Sequence, residues 1–228
     1  MQLDMNVILS LAKLNERIRK VIDSRILKRW GSTYRKKAIW DEEFSTGQWE
    51  FIDHTDDDAI YAYLEKYSNN GSILDLGCGS GNTGNEMAAA KYGSYTGVDI
   101  SENAIQMAVG RSEKNRRGDK NEYVCADISL YTPRKTYDII LFRESIFYIP
   151  KYKICNVLDR YNGYLKETGV FIVRICDRKK YASIVRVIER HYHVVDSSPA
   201  TDASIILVFR CVKRCHCANV ADDVNPES

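Results

Sequence analysis

The sequence predicts an α/β chain: a doubly wound, seven-stranded sheet of five parallel strands plus a C-terminal antiparallel hairpin, preceded by a helical and aromatic extension. Three observations carry that expectation. A short apolar run, Ser72 to Leu76, meets a glycine-rich loop and then a helix-compatible run, Thr83 to Tyr92. From there to His191 strand-like and helix-like segments alternate, as parallel strands joined by crossover helices require. The last two strands, Tyr192 to Asp196 and Ser204 to Arg210, are joined by a short turn containing Pro199. That link cannot hold a crossover helix, so these two must pair antiparallel if they are sheet neighbours.

The 228 residues suit one domain with extensions: a helical and aromatic lid-like segment at 1–54, a ligand-binding domain at 55–211 and a polar tail at 212–228. A net charge of +2 gives no basic excess of the kind that points to nucleic acid. Seven cysteines, an odd number scattered through predicted strands and helices, suit a reduced, cytoplasmic chain better than a disulfide scaffold. Asp4 and the lack of a long apolar core argue against a signal peptide. No run approaches the ~20 apolar residues of a membrane span.

Taken in order, residues 3 to 29 read as one amphipathic helix, with Leu3, Val7, Leu11, Leu14 and Ile18 at helical spacing. Residues 1–37 hold ten Lys and Arg against three Asp and Glu, whereas 41–58 hold eight acids and no Lys or Arg. The basic helix can pack on the core with a solvated face, form a homodimer, or hold an anionic partner. All three tryptophans lie between Trp30 and His54, among Tyr34, Trp40, Phe44, Trp49 and Phe51. The acidic run Thr55 to Asp58 opens a helix with Ile60, Leu64 and Tyr67 as its inner stripe, and Asn69-Asn70-Gly71 ends it.

The Rossmann-like core follows. Ser101 caps a helix from Glu102 to about Gly110, and Arg111 to Lys120 reads as loop or frayed helix end. Tyr95 to Ile100, Glu122 to Ile128, Tyr137 to Phe142 and Gly169 to Cys176 read as further strands. Pro150 starts a helix with Ile154, Leu158, Tyr161 and Leu165 on one face, and Asp177 caps one carrying Tyr181, Ile184, Val185 and Ile188. His191 and His193 read as surface groups. Cys211, Cys215, His216 and Cys217 cluster in the tail, but no second Cys pair completes a zinc site, so no metal is expected.

The chemistry lies in the loop Asp75-Leu76-Gly77-Cys78-Gly79-Ser80-Gly81-Asn82. A dinucleotide fingerprint places its third glycine where Asn82 stands. The spacing here is G-x-G-x-G, with an acid two residues before the first glycine. Two more strands end in acids, Asp99 followed by Ile100 and Asp127 followed by Ile128. Asp99 falls near the ~20-residue offset of a carboxylate that takes ribose hydroxyls. Either acid alone could be a turn former or helix cap. Together the three match the pattern of a nucleoside site at the carboxyl ends of strands.

This arrangement resembles motif I and the following strand ends of the class I S-adenosylmethionine (SAM)-dependent methyltransferases, over roughly residues 55–211. The resemblance implies SAM as cofactor, bound by Asp75, Gly77, Cys78, Gly79, Gly81, Asn82, Asp99 and Ile100, with Asp127 and Ile128 at the adenine. It also places a lid ahead of the first strand, where Tyr34 and Trp40 would face the cofactor and tolerate a sulfonium through cation–π attraction. The acceptor side falls after the fourth strand, at Arg143-Glu144-Ser145-Ile146-Phe147-Tyr148. Glu144 is the candidate general base or substrate anchor, Arg143 a ligand for an anionic acceptor or the cofactor, and Tyr148 and His54 lesser candidates. Arg143 and Glu144 could instead pair with each other.

The Asp/Asn/Ser-Pro-Pro-aromatic signature of base-amine methyltransferases is absent from that loop. That counts against base-amine substrates without excluding other RNA modifications; the aromatic entry segment, the compact size and the lack of a separate nucleic-acid module make methyl transfer from SAM to a small molecule the leading reading. The alternatives are a nucleic-acid or protein methyltransferase using the basic helix, and a catalytically silent SAM-binding interaction module.

Overall fold

The structure, a computed structural model, describes residues 24–49, 55, 58–199 and 203–211. Residues 24–30 are helical, and Gly31-Ser32 separates them from α1 (Thr33–Ser45). The remaining elements are α2 (Ile60–Ser68), β1 (Ser72–Leu76), α3 (Asn82–Glu86), β2 (Ser94–Asp99), α4 (Glu102–Lys114), β3 (Asn121–Cys125), β4 (Tyr137–Arg143), α5 (Ile154–Asn162), β5 (Leu165–Ile175), α6 (Ala182–His191), β6 (His193–Ser197) and β7 (Ile205–Arg210). The predicted helix over 3–29 lies mostly outside the described residues, as do His54 and the cysteines and histidine at 215–217.

The seven strands run in the order β3-β2-β1-β4-β5-β7-β6. β1 pairs parallel with β2 on one side and β4 on the other, so the strand order reverses there. Ligands of open α/β sheets bind at such a reversal, outside the carboxyl ends of the strands. The expected antiparallel hairpin is present, with a further feature. β7 inserts between β5 and β6 and runs against both, so β6 shares the direction of the first five strands.

Both faces of the sheet are covered. Leu74, Leu76, Ile140, Phe142, Phe171 and Val173 pack on one side, and Ile73, Ile139, Leu141, Val170 and Ile172 on the other. The period-2 alternation of each buried strand supplies both faces, each such side chain contributing about 1.5–3 kcal/mol by leaving water. All five residues of β1 are buried, Asp75 among them.

Several predicted boundaries move, each for a tertiary reason. α4 continues to Lys114 because Ser112, on a polar stretch, is buried and donates to Asn85 Oδ1 at 3.1 Å. The predicted helix over Thr83–Tyr92 is only α3 and a 3-10 turn at Ala89–Lys91, with Met87 turning extended between them (ψ 139°). Pro150 opens a 3-10 turn ahead of α5, and Leu165 belongs to β5. Asp177 braces a turn by accepting from Lys180 N at 2.9 Å, and α6 starts only at Ala182. In α2, Tyr61 is the buried tyrosine, while Tyr67 donates to Asp196 at 2.9 Å.

Candidate functional site

The start of the glycine loop is bound back onto β2. Gly77 N and Cys78 N donate to Val98 O of β2 at 2.7 and 3.1 Å. Gly77 has φ +89°, and a Cβ there would lie 2.5 Å from Ser145 Cβ, in the loop after β4. The two loops that frame the site therefore touch backbone to side chain, and only glycine permits it. Gly79 and Gly81 also have positive φ.

Asp75, the last residue but one of β1, is 1% exposed, with Tyr95 Oη donating to its Oδ2 at 2.7 Å. Its Oδ1 is buried and makes no hydrogen bond within the chain. Burial pushes the carboxyl up to about 6, against opposing hydrogen bonds from Tyr95 and Thr83 and the charge of Arg143. A buried acceptor left unsatisfied costs about 1–3 kcal/mol. This orphaned carboxylate oxygen beside a bare backbone loop is suited to a cationic ligand.

Asp99 lies at the end of β2. Its Oδ2 accepts from Gly79 N and its Oδ1 from Ser101 N, each at 2.9 Å. Burial raises its carboxyl while those N–H groups oppose the shift. It thus fixes the glycine loop and also presents a carboxylate rim. Asp127 accepts from Ser129 N at 2.8 Å, from Thr33 Oγ1 at 3.1 Å, and pairs with Lys36 Nζ at 3.5 Å. Asn82 is buried at the start of α3, where Arg111 Nη1 donates to its Oδ1 at 2.5 Å. Cys78 is buried, and burial pushes its thiol up, so it is a packing group rather than a nucleophile. Ile128 packs on the core, and its carbonyl accepts from Tyr161 Oη at 2.7 Å. The Ile100 carbonyl accepts from the Cys125 thiol at 3.5 Å.

α1 lies across these strand ends. Asp41 Oδ1 accepts from Ser101 Oγ and Glu102 N, both at 2.8 Å, and Lys37 bridges Asp41 and Glu102 at 2.7 and 3.2 Å. Phe44 packs over the loop, its ring tip 3.6 Å from where a Gly79 Cβ would stand. Tyr34 sits elsewhere. It is 82% exposed, on the outward row of α1 with Ala38, Glu42 and Ser45, so it does not face the site.

On the acceptor side the adjacent Arg143 and Glu144 turn to different partners. Arg143 Nη2 donates to Asp58 Oδ2 at 2.9 Å and Nη1 to Tyr61 Oη at 3.0 Å. Glu144, with φ +56°, accepts from Arg174 Nη1 and from Cys176 N at 3.0 Å. Arg174 also reaches Asp58, and Tyr61 donates to Glu86 at 2.7 Å. The result is a continuous ionic chain across the ends of α2, β4 and β5. Burial drives the Tyr61 phenol up to about 12, the nearby Arg143 charge opposing it.

Trp40 takes part in an aromatic pocket. Its ring lies 5.5 Å from Trp49 and 4.9 Å, edge-on, from Tyr148. The Lys28 ammonium sits 3.8 Å from the Trp40 centroid, 5.5 Å from Trp49 and 6.0 Å from Tyr148, and pairs with Glu43 at 2.5 Å. Burial pushes the Tyr148 phenol up and the Lys28 ammonium down, with Glu43 opposing the latter.

Of the predicted residues, the structure brings Asp75, Gly77, Gly79, Gly81, Asp99, Asp127, Trp40, Arg143, Glu144 and Tyr148 to one end of the sheet. Sequence reading missed Asp41, Asp58, Tyr61, Arg174 and the Lys28–Glu43 pair. Only the charge segregation between 1–37 and 41–58 hinted at them, and it now resolves in part into bridges of Lys28 and Lys37 to Glu43 and Asp41. Among the described residues no group of side chains could hold a metal ion, and no helix is long and apolar enough to cross a membrane.

Residues 67–213 match a family model described as a methyltransferase domain. The 27-O-demethylrifamycin SV methyltransferase of Amycolatopsis mediterranei (strain S699) is 27% identical over 119 residues, covering 49% of this chain and 44% of that one. The chain thus spans less than half the length of that curated relative. Among solved structures, the N-methyltransferase NodS from Bradyrhizobium japonicum WM9, in complex with S-adenosyl-L-homocysteine, superposes with a TM-score of 0.61 at 14% identity, over 77% of this chain and 97% of that one. An S-adenosylmethionine-dependent methyltransferase from Clostridium acetobutylicum ATCC 824 gives 0.59 at 16%, over 75% and 98%. At those identities the likeness is one of fold.

Proposed function

Because the chain belongs to the methyltransferase-domain family, we propose that it is a SAM-dependent methyltransferase acting on a small-molecule acceptor. The observation that carries this reading is the orphaned Oδ1 of Asp75, a buried anionic acceptor at the glycine loop where the amino group of a SAM methionine moiety would need a partner. Bound SAM supplies an activated methyl on a sulfonium, so no metal or redox group is required of the protein.

The chain's own residues then bind, orient and keep dry. The backbone from Gly77 to Gly81 lies bare against the ligand. Asp99 offers its carboxylate rim to the ribose hydroxyls, with Ile100 beside it. Asp127 accepts from the adenine amino group, beside Ile128, once Thr33 and Lys36 yield it. Asn82 acts through the loop, holding the start of α3 against Arg111. Phe44 and Trp40 exclude water from above. Glu144 and Arg143 are locked into the ionic chain, so they position the acceptor loop rather than shuttle a proton. The small-molecule reading is supported by α1, which lies over the strand ends and is tied there to Ser101, Glu102 and Asp127. The free cysteines support a cytoplasmic location.

Calorimetry with SAM, S-adenosylhomocysteine and NAD tests the cofactor. The two adenosyl-sulfur compounds should bind and NAD should not; the reverse order sinks the reading. Labelled SAM with a metabolite extract then identifies the acceptor by mass spectrometry. Label appearing only in RNA or protein would sink the small-molecule reading.

A further inference from the structure

We propose that the pocket walled by Trp40, Trp49, Tyr148 and Glu43 is the acceptor subsite for an alkylamine, filled in this structure by the chain's own Lys28. The inference rests on the methyltransferase reading above and narrows it to a substrate class.

A lysine only 7% exposed is rare unless its charge is compensated. Here the compensation is built for one cation. Three aromatic rings surround the ammonium, and a carboxylate closes the pocket, itself held by Trp49 Nε1 at 3.1 Å. Desolvated cation–π contacts are strong enough to select a cationic ligand. The walls come from separate parts of the chain, α1, the turn after it and the loop after β4, so a local helical repeat does not explain the cage. Its position points to the reaction. Phe44 links it to the glycine loop, and Tyr148 belongs to the segment on the acceptor side.

The occupant is informative too. Lys28 is an unbranched alkyl chain with one cationic head, so the space accepts that shape. It arrives on the helical stretch 24–30, which Gly31-Ser32 separates from α1 and whose Trp30 stacks on Tyr152 at 5.7 Å, so the side chain that fills the cage belongs to a different segment from its walls. In the transfer, an alkylammonium that has lost a proton to water directs its lone pair at the methyl carbon, and the rings and Glu43 stabilise the cation that forms. The N–C bond forms as the S–C bond breaks, the bonding pair stays on sulfur as a thioether, and the product ammonium releases a proton to water.

The test vacates the cage with Lys28→Met and Lys28→Ala. Tryptophan fluorescence is titrated with choline and with its neutral isostere 3,3-dimethyl-1-butanol. Choline should bind the variants at least tenfold more tightly than wild type, with no matching gain for the isostere, and adding Trp40→Leu should abolish the gain. No gain, or equal gains for both probes, overturns the proposal. If neither Lys28 variant folds, wild-type protein is acylated with and without choline and read by mass spectrometry. Choline should raise Lys28 labelling severalfold, and unchanged labelling overturns the proposal. The acceptor role also requires a Lys28 variant to hold S-adenosylhomocysteine and choline at the same time, any change in affinity being reciprocal; mutually exclusive binding overturns the acceptor role. Failure of S-adenosylhomocysteine to bind wild type, with the choline gain intact, removes the methyltransferase reading instead.

Discussion

Tyr95 donates its phenol to Oδ2 of Asp75 at 2.7 Å, while the other carboxylate oxygen, Oδ1, stays buried without a hydrogen-bond partner in the chain. The cost is visible in the carboxyl, raised by burial to about 6. A group whose folded value is raised binds protons more tightly when folded, so its contribution to stability improves as pH falls through 6 and levels off near the unfolded value of about 4. That rise, from about 4 to about 6, corresponds to about 3 kcal/mol at neutral pH. Asp75→Asn removes the charge. Its melting temperature relative to wild type should therefore be higher at pH 7.5 than at pH 5, while calorimetry shows SAM affinity at pH 7.5 reduced at least tenfold. A difference in melting temperature that does not change with pH contradicts this account.

Gly77→Ala adds a methyl 2.5 Å from Ser145 Cβ at a residue with φ +89°. Left-handed backbone costs a non-glycine residue about 1–2 kcal/mol, and the overlap a further 1–3. Urea denaturation should show a loss of about 2–4 kcal/mol. Ser145→Gly in the same chain removes the overlap but not the backbone penalty, so it should restore only part. Full restoration would mean that backbone conformation matters little there.

Glu144 allows strain to be separated from charge. Its φ of +56° is unfavourable for any side chain, yet its carboxylate accepts from Arg174 and Cys176 N. Both Glu144→Ala and Glu144→Gly lose those bonds, but only glycine relieves the backbone. Glu144→Gly should be the more stable of the two by about 1 kcal/mol, contrary to the usual order. Because the carboxylate is already engaged, Glu144→Gln should keep kcat within tenfold. A larger fall would restore Glu144 as a general base.

The parts of this molecule legible in its sequence are those governed by local periodicity. β1 through β5, the G-x-G-x-G loop and the acids at the carboxyl ends of β1 and β2 follow from buried apolar runs and the residues that interrupt them. Asp127, two residues past β3, follows the same rule. What escaped depends on contacts between distant segments. Lys28 reads as one more cation on a basic face, and only the meeting of Trp40, Trp49 and Tyr148 buries it. Asp58 looks like a helix-initiating acid, yet it joins two arginines, 85 and 116 residues away. Tyr34 and Trp40 look equivalent in an aromatic stretch, and helical phase alone turns one outward and the other in.

That phase also puts Asp41 where it can hold the lid shut. Its Oδ1 accepts from Ser101 Oγ and Glu102 N, so one side chain both caps α4 and ties α1 to it. Its carboxyl is held low despite burial, by Lys37 and Ser101. A depressed folded value means the stabilisation is present above about pH 4 and is lost as pH falls through the folded value. Asp41→Ala should cost about 1–2 kcal/mol, as loss of a helix cap does, and should speed hydrogen exchange across residues 33–45. Asp41→Asn keeps an acceptor for Ser101 and Glu102 and should recover most of the protection. Since α1 also places Thr33 and Lys36 on Asp127, the adenine carboxylate of the proposed function, freeing the helix removes a competitor. SAM should then associate faster with Asp41→Ala than with wild type in stopped-flow fluorescence. A slower association would make α1 a part of the binding surface rather than a cover that must first lift.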